Sequence, residues 1–401
     1  MPGATREVAR WRNAVMTAFA LGGVAVSTWG PRLPQLRSDL GVGNATIGLV
    51  LAGVTVGSVA GLAVASALLA WLGPRRGIRT MVWLAGAGIA MIGVGAGVAH
   101  STAVATVGFV LVGFGIGSAD VMINVEGAAV ERAAEKTLMP LLHASWSAGA
   151  IVGAGIGAGC AALGVAVQWQ FIAEAILIGT AAAVSARFVP VADHLGAGAD
   201  RPPVGQRVRG WLRGWGDWRL LMIGLVMLGV ELGEGTANNW LTLGVRDGHG
   251  RSDGVAALFF VAFAAGETIA RVAGGPVVDR IGRVRAVRVT TALGVVGVVV
   301  FILAGPAWLV LLGTVLWAVG VSMGFPLGMS AAAESGPNSA ARVSVVASIG
   351  YLANLAGPPA VGFLSQAAGV LDALWLVVAL LVLGFAAAGS LGTRRGEEPA
   401  R

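Results

Sequence analysis

The sequence predicts an all-α membrane protein of twelve transmembrane helices, arranged as two pseudo-symmetric halves of six. Three observations predict it. The 401 residues are 56% hydrophobic and only 12% charged, whereas a soluble domain carries about 25% charged residues; the mean hydropathy is +0.81. Apolar runs of about 20 residues, the length that crosses a bilayer as a helix, recur along the whole chain. The positive residues fall between these runs and strongly favour one side. The 63 glycines fit the same class, since small residues let membrane helices approach closely.

In order, the spans are read at about 12–30, 45–71, 80–99, 103–129, 141–165, 168–189, 219–244, 254–277, 287–304, 307–331, 342–366 and 371–391. Periodicity does not identify a helix inside an all-apolar run. The bilayer supplies that argument, because a helix satisfies its own backbone polar groups. With twelve spans, one side collects 22 of the 27 positive residues, counting all but Arg32, Arg37, Arg246, Arg251 and the intramembrane Arg271. By the positive-inside rule that side, with both termini, is cytoplasmic. The expected location is the cytoplasmic (inner) membrane of a bacterium, multi-pass. Arg6, Arg10 and Arg12 precede the first run as in a signal peptide, but no small-residue cleavage site is clear, so an uncleaved first span is expected.

Composition also excludes function classes. The net charge of +7 is nearly all arginine, with Lys136 the only lysine. These charges lie between apolar runs and form no continuous patch, which argues against a nucleic-acid partner. Cys160 is the only cysteine, so no intramolecular disulfide or cysteine zinc site can form. His100, His143, His194 and His249 are scattered without metal-ligand spacing. No Walker loop, Ser-His pair or metal-spaced cluster is evident, so neither an ATP-driven pump nor an enzyme is expected, and no cofactor or metal. The expected partners are the lipid bilayer, a small-molecule solute and H+, with the protein a monomer.

The longest connection divides the chain into an N-terminal half (1–189), a cytoplasmic linker (190–218) and a C-terminal half (219–401). The linker holds "DRPPVGQRVRGWLRGWGDWR". Val208, Trp211, Trp215 and Trp218 fall on one helical stripe, with Arg207, Arg209 and Arg213 off it. This suits a helix lying on the membrane surface; the other reading is a flexible linker with tryptophans in the next span's interfacial belt.

The halves resemble one another. "LLAWLGPRR" (68–76) follows span 2 and "VVDRIGRVR" (277–285) follows span 8; aligning Gly73 with Gly282 gives an offset of 209 residues. "HASWSAGAIVGAGIGAG" (143–159) in span 5 faces "VASIGYLANLAGPPAVG" (346–362) in span 11 at a similar offset. Transporters built from two such halves bind solute between them near mid-membrane. "GGPVVDRIGRVR" (274–285) resembles the loop signature of the major facilitator superfamily, with Gly275, Asp279, Arg280, Gly282 and Arg283 at its positions. Gly275 would permit close helix packing, and Asp279 would pair with arginine across the cytoplasmic helix ends. In that family the network latches the outward-open state. The first-half copy is degenerate: Ala70 stands where aspartate is expected, although Arg75 and Arg76 remain.

The polar groups inside the spans carry the functional expectation. In "GFGIGSADVMINVEG" (113–127), Gly113, Gly117, Asp120, Asn124 and Gly127 share one helical face. Glu126 points about 120° away from Asp120, at 100° per residue, and is read as a boundary acid reaching water or a loop arginine. Acid, three residues, asparagine in span 4 resembles the fucose-permease side of the superfamily, where the acid helps couple protons to sugar; Asp120 and Asn124 take those positions. "SMGFPLG" (322–328), with Phe325, is similar to that group's Phe/Tyr-Pro element. Those permeases also carry an acid in span 1, and 12–30 has none. "WGPRLP" (29–34) and "GYLANLAGPPAVGFL" (350–364) look still more like a poorly characterised bacterial branch.

In span 7, "VELGEGTANNWL" (230–241) puts Glu231, Glu234 and Asn238 on one face, with Asn239 and Trp240 further outward. Two acids one turn apart repel, which suits one of them to exchanging a proton. In span 8, Glu267 and Arg271 at i, i+4 suit an ion pair with a structural or gating role. Glu174 in span 6 is expected to bond locally, His143 and Trp146 to sit at the interface. Gly149, Gly153 and Gly157 form a glycine face in span 5. Gly357-Pro358-Pro359 should kink or break span 11; the proline element of span 5 found in drug/proton antiporters is missing. The expected function is a secondary active transporter working by alternating access. Asp120, Glu231 or Glu234 would couple protons, and Asn124, Asn238, Asn239, Trp240 and Phe325 would line the solute cavity. Uptake of a small polar, sugar-like solute by proton symport is the preferred direction; proton-coupled efflux of a drug or metabolite is the alternative.

Overall fold

The computed structural model describes residues 2–135, 138–190, 212–336 and 339–392. Among these there is no strand. Twelve helices are long and apolar enough to cross a membrane, and they match the predicted runs one for one. Spans 1–6 are Arg6–Leu40, Asn44–Ala65, Ala67–Gly97, Thr102–Ala134, Leu141–Ala162 and Val167–Phe188. Spans 7–12 are Trp218–Gly248, Asp253–Ile281, Arg283–Leu303, Ala307–Glu334, Arg342–Ala368 and Val370–Leu391.

Several spans are not plain helices, and proline or glycine explains each departure. Span 1 is helical over Pro2–Ser27, tightens to a 3-10 turn at Gly30–Arg32 and resumes as Leu33–Leu40. Pro31 and Pro34 in "WGPRLP" each lack the N–H that would continue the ladder. The loop expected at 72–79 is reduced to one residue, Gly73, with φ 69° and ψ 167° inside an otherwise helical Asn44–Gly97. Pro74 then opens the next helix, where its missing N–H costs nothing. Span 10 pauses at Ser322–Met323 between Ala307–Val321 and Gly324–Glu334. Of the kink or break expected in span 11, the break does not occur: its helix, Ser339–Ala368, continues through Pro358 and Pro359. Inside a helical bundle, neighbouring groups can satisfy the carbonyls that proline leaves.

Gly282 has φ 81° and ψ 156°, nearly the conformation of its aligned partner Gly73. This region of backbone space is essentially glycine-only. A second correspondence supports the repeat. A Cβ at Gly22 of span 1 would collide with the Trp146 ring of span 5, and one at Gly224 of span 7 with Ile349 of span 11. Trp146 and Ile349 occupy the same place in the aligned stretches.

The chain forms two compact units. One comprises Met1–Ala197 with Val245–Val261, the other Gly198–Gly244 with Ala262–Arg401. Residues 245–261, which a division at the linker assigns to the second half, thus group with the first unit. Arg37 pairs with Asp247 at 2.6 Å, and Arg246 pairs with Asp253 at 3.1 Å and donates to the Pro34 carbonyl at 2.9 Å.

Within the first unit the glycine faces find their neighbours. Gly149, Gly153 and Gly157 of span 5 lie against the Ala20, Val24 and Thr28 carbonyls of span 1. Gly113 and Gly117 of span 4 lie against Val54 and Ser58 of span 2. Such contacts between backbones draw apolar helices together where lipid offers no hydrophobic drive.

In the second unit, Leu220, Ile223, Val226, Val287, Ala332, Val345 and Ala388 form a buried cluster joining spans 7, 9, 10, 11 and 12. Asp217 caps span 7, its Oδ1 accepting from the Arg219 and Leu220 amides at 3.0 and 3.3 Å. Its Oδ2 takes Arg342 of span 11 at 2.6 Å. Partial burial opposes charge on this carboxyl, but Arg342 and the two amides outweigh it and hold Asp217 below the usual carboxylate range. Of the linker stripe, Arg207, Val208, Arg209 and Trp211 lie outside the described residues.

Candidate solute and proton site

Each unit contributes its own set of intramembrane polar groups. In the first, span 4 runs unbroken from Thr102 to Ala134, with Ser101 capping it through the Val104 amide. Asp120 and Asn124 are half-buried on its face. Asn124 Nδ2 donates to the Asp120 carbonyl at 2.8 Å and to Asp120 Oδ1 at 3.1 Å. The amide is therefore committed to the acid, and only its oxygen remains for a solute. His143, exposed at the start of span 5, meets Phe19 edge-on with ring centroids 5.2 Å apart.

Glu126 differs from expectation. It is 1% exposed and accepts from Trp11 Nε1 of span 1 at 3.0 Å. Its partner is the Trp11 indole of span 1, not a loop arginine. Glu174 accepts from Gln170, one turn earlier, at 3.4 Å, and from Thr28 of span 1. Its bonding is thus local and also ties span 6 to span 1.

In the second unit, Glu231, Glu234 and Asn238 are half-buried on span 7. Arg271 of span 8 approaches Glu234 Oε2 and Glu267 Oε1 at 2.7 Å each. The Glu234 contact is a hydrogen bond. The Glu267 contact is an ion pair without hydrogen-bond alignment, since Glu267 Oε1 has no hydrogen-bond partner. Arg271 Nε donates to the Ser322 carbonyl at 3.3 Å, at the pause in span 10. Glu267 is 7% exposed. Glu231 takes a different partner: Asn354 Nδ2 of span 11 donates to its Oε2 at 2.9 Å.

Two carboxyl groups, Glu234 and Glu267, therefore share one guanidinium, while Glu231 is held by the Asn354 amide. Sequence reasoning found the acids and Arg271 but not that Glu234 completes the pair, nor Asn354. The signal for Asn354 was available: it is the one amide in the apolar run "GYLANLAGPP".

The other candidates separate. Asn239 Nδ2 is spent on the Gly235 carbonyl of its own helix at 2.7 Å. Trp240 is fully buried, 0% exposed, with its indole N–H unpartnered, and so offers no open surface for a solute. Its bulk fills the bundle core, which apolar periodicity inside an all-apolar span does not reveal. Phe325 is 43% exposed beside the pause in span 10.

In the signature loop, Gly282 makes the sharp turn, and Arg283 Nη2 contacts both oxygens of Glu334 at 2.9 Å. Asp279 and Arg280 are exposed and form no ion pair among the described residues. Gly275 meets nothing within 4 Å, whereas a Cβ at Gly274 would collide with Met323. The close approach expected at Gly275 thus falls one residue earlier, because helical rotation turns Gly274 toward span 10. No group of three or more His, Cys, Asp or Glu placed to hold a metal ion occurs among the described residues.

Twelve spans in two repeated units, with acids and the arginines Arg32 and Arg271 held inside the spans, form an architecture of the kind membrane carriers use. Residues 223–401 match the family model described as Major Facilitator Superfamily. The chain is 26% identical over 397 residues to an uncharacterized MFS-type transporter of Yersinia pestis, covering 98% of this chain and 97% of that protein. It is 28% identical over 374 residues to the uncharacterized transporter y4wD of Sinorhizobium fredii, covering 90% and 93%. Among solved structures it resembles a mutant form of the nucleoside transporter NupG, with TM-score 0.78, 14% identity and coverage of 96% of this chain and 99% of that one. The E. coli fucose:proton symporter FucP gives TM-score 0.64 at 15% identity, covering 95% and 98%. At such identities these structures show the fold alone. The match to the family model is confined to residues 223–401, while the likeness in fold to these solved structures extends over nearly the whole chain.

Proposed function

We propose that this chain is a transporter of the major facilitator superfamily, a proton-coupled secondary carrier that takes up a small polar, sugar-like solute across the cytoplasmic membrane by alternating access. The observation that carries the reading is the charge imbalance in the second unit. Glu234 and Glu267 pair with a single cation, Arg271, and Glu231, one turn from Glu234, meets only the neutral Asn354 amide. Charge in the membrane interior is costly unless balanced. Protons are the balancing ions the site itself can accept and release.

Glu231, bonded only to the neutral Asn354 amide, is the better proton carrier. Glu234 is occupied by Arg271. Asp120 is the corresponding acid of the first unit. When a proton neutralises Glu234 or Glu267, the Arg271 pairing loosens, which gives the site a way to couple charge to helix movement.

In the first unit the candidate solute contact is Asn124, through its oxygen; in the second they are Asn238 and Phe325, with Asn239 and Trp240 supporting the wall behind them. Arg283, with Glu334, holds the cytoplasmic end of span 10, and Asp279 and Arg280 are available to bond elsewhere during the cycle. The polar, hydroxyl-bearing solute class is supported by fold-level likeness to proteins named for nucleoside and fucose transport.

Transport by the purified protein in liposomes with an imposed pH gradient tests the reading. Uptake should follow the gradient and collapse in Glu231→Gln, while exchange of solute at equal concentrations persists. Flux indifferent to the gradient would sink proton coupling. Solute driven outward as protons enter would identify an antiporter instead.

A further inference from the structure

Trp11 and Glu126 lie 115 residues apart in sequence and meet inside the first unit, through the bond from Trp11 Nε1 to Glu126 Oε2. Both are buried, at 6% and 1% exposure. The charged and titratable groups on the surrounding elements are engaged elsewhere. Arg12 of span 1 donates to Asn13, Arg75 of span 3 to the Ala186 carbonyl, and Glu131 of span 4 accepts from the Leu138 amide. His143 of span 5 packs edge-on against Phe19. None of them makes an ion pair with Glu126. A carboxylate so placed, with one neutral donor and no countercharge, is strongly disfavoured, and such a group takes up a proton instead.

We propose that Glu126 is a proton-binding site and that Trp11 is its lid. With the pair closed, Glu126 is a carboxylic acid: Oε1 carries the proton and Oε2 accepts from the indole. On the next turn's flanks, Arg10 and Asn13 are exposed. Displacing the single Trp11 side chain therefore brings the carboxyl to water on the side of the N-terminal arginines. Loss of the proton places a bare charge under the lid, so the closed position of Trp11 is favoured while the proton is bound. The role of this site in transport rests on the proton-coupled reading above; its protonation does not.

Infrared difference spectroscopy of the full-length protein in liposomes, titrated from acid to alkaline pH, tests the site with the proton as its own probe. The expected result is a protonated-carboxyl band that persists at neutral pH, is lost in Glu126→Gln and shifts in Trp11→Phe, which keeps the lid but removes the donor. A carboxyl region unchanged by both substitutions would overturn the proposal. Should Glu126→Gln fail to fold, the Trp11→Phe shift decides alone. A retained band together with wild-type flux that ignores the pH gradient supports the site and overturns only the coupled reading.

Discussion

Arg271 shows how much rests on single side chains in this bundle. Arg271→Ala leaves Glu234 and Glu267 facing one another without a cation. Breaking a buried pair costs about 3–5 kcal/mol; with Arg271 and Glu234 at 38% and 22% side-chain exposure the loss should fall below that range, at about 2–3 kcal/mol. Adding Glu234→Gln and Glu267→Gln to Arg271→Ala should recover most of it, because the stranded charges disappear with their partner. Thermal unfolding of the single and triple variants checks this, and equal losses would argue against the shared-cation arrangement.

For Asp120, the expectation is that Asp120→Asn keeps the Asn124 contact and folding while reducing gradient-driven uptake. Normal coupled flux in that variant would remove Asp120 from the mechanism. At this scale the sequence reveals which groups are polar within a span, since an acid among apolar residues stands out. It does not reveal their partners. Asn354 and Trp11 come from spans distant in sequence, and an apolar run carries no record of which neighbour each face meets.

Among the elements, the turns at Gly73 and Gly282 make the sharpest prediction. Alanine at either would be held in a glycine-only conformation, at a cost of about 1–3 kcal/mol. Gly275→Ala, with nothing within 4 Å of the new methyl group, should be neutral for folding. Similar stability losses at all three positions would refute the conformational argument.

The cap at Asp217 predicts an acid effect. Its folded-state pKa lies below the unfolded value, so its stabilisation is complete above about pH 3.9 and disappears as the pH falls through the folded value. Asp217→Ala should cost about 1 kcal/mol at neutral pH and flatten the acid limb of the stability curve, read by unfolding at graded pH. The repeat that pairs Gly73 with Gly282 was legible in the sequence because a signature loop surrounds one copy. The unbroken helix at Pro358 and Pro359 was not, because the bundle around a proline decides whether its freed carbonyls are satisfied.

Over the whole molecule, ligand linkage offers a test that works while the solute is still unidentified. A solute that binds only the folded protein raises its unfolding temperature by mass action, about 2.7 kcal/mol at a hundredfold excess over Kd. A library of polar solutes screened at two pH values should yield stabilisers whose effect changes with pH, because proton and solute bind the same folded state. Stabilisation indifferent to pH for every binder would weigh against coupling. Span count and fold class follow from composition and hydropathy, since the bilayer leaves a chain this apolar few alternatives. The solute does not, because a handful of side chains sets it and their geometry depends on long-range packing.

The carbonyl-to-glycine crossings of spans 1 and 5, and of spans 2 and 4, have a consequence for heredity. In most proteins the positions least able to change are the large ones at the centre. Here Gly149, Gly153, Gly113 and Gly117 have no room for even one added methyl group. A complete substitution map should therefore be nearly inverted, with deleterious alleles concentrated at the smallest residues and broad tolerance at many bulky, lipid-facing ones.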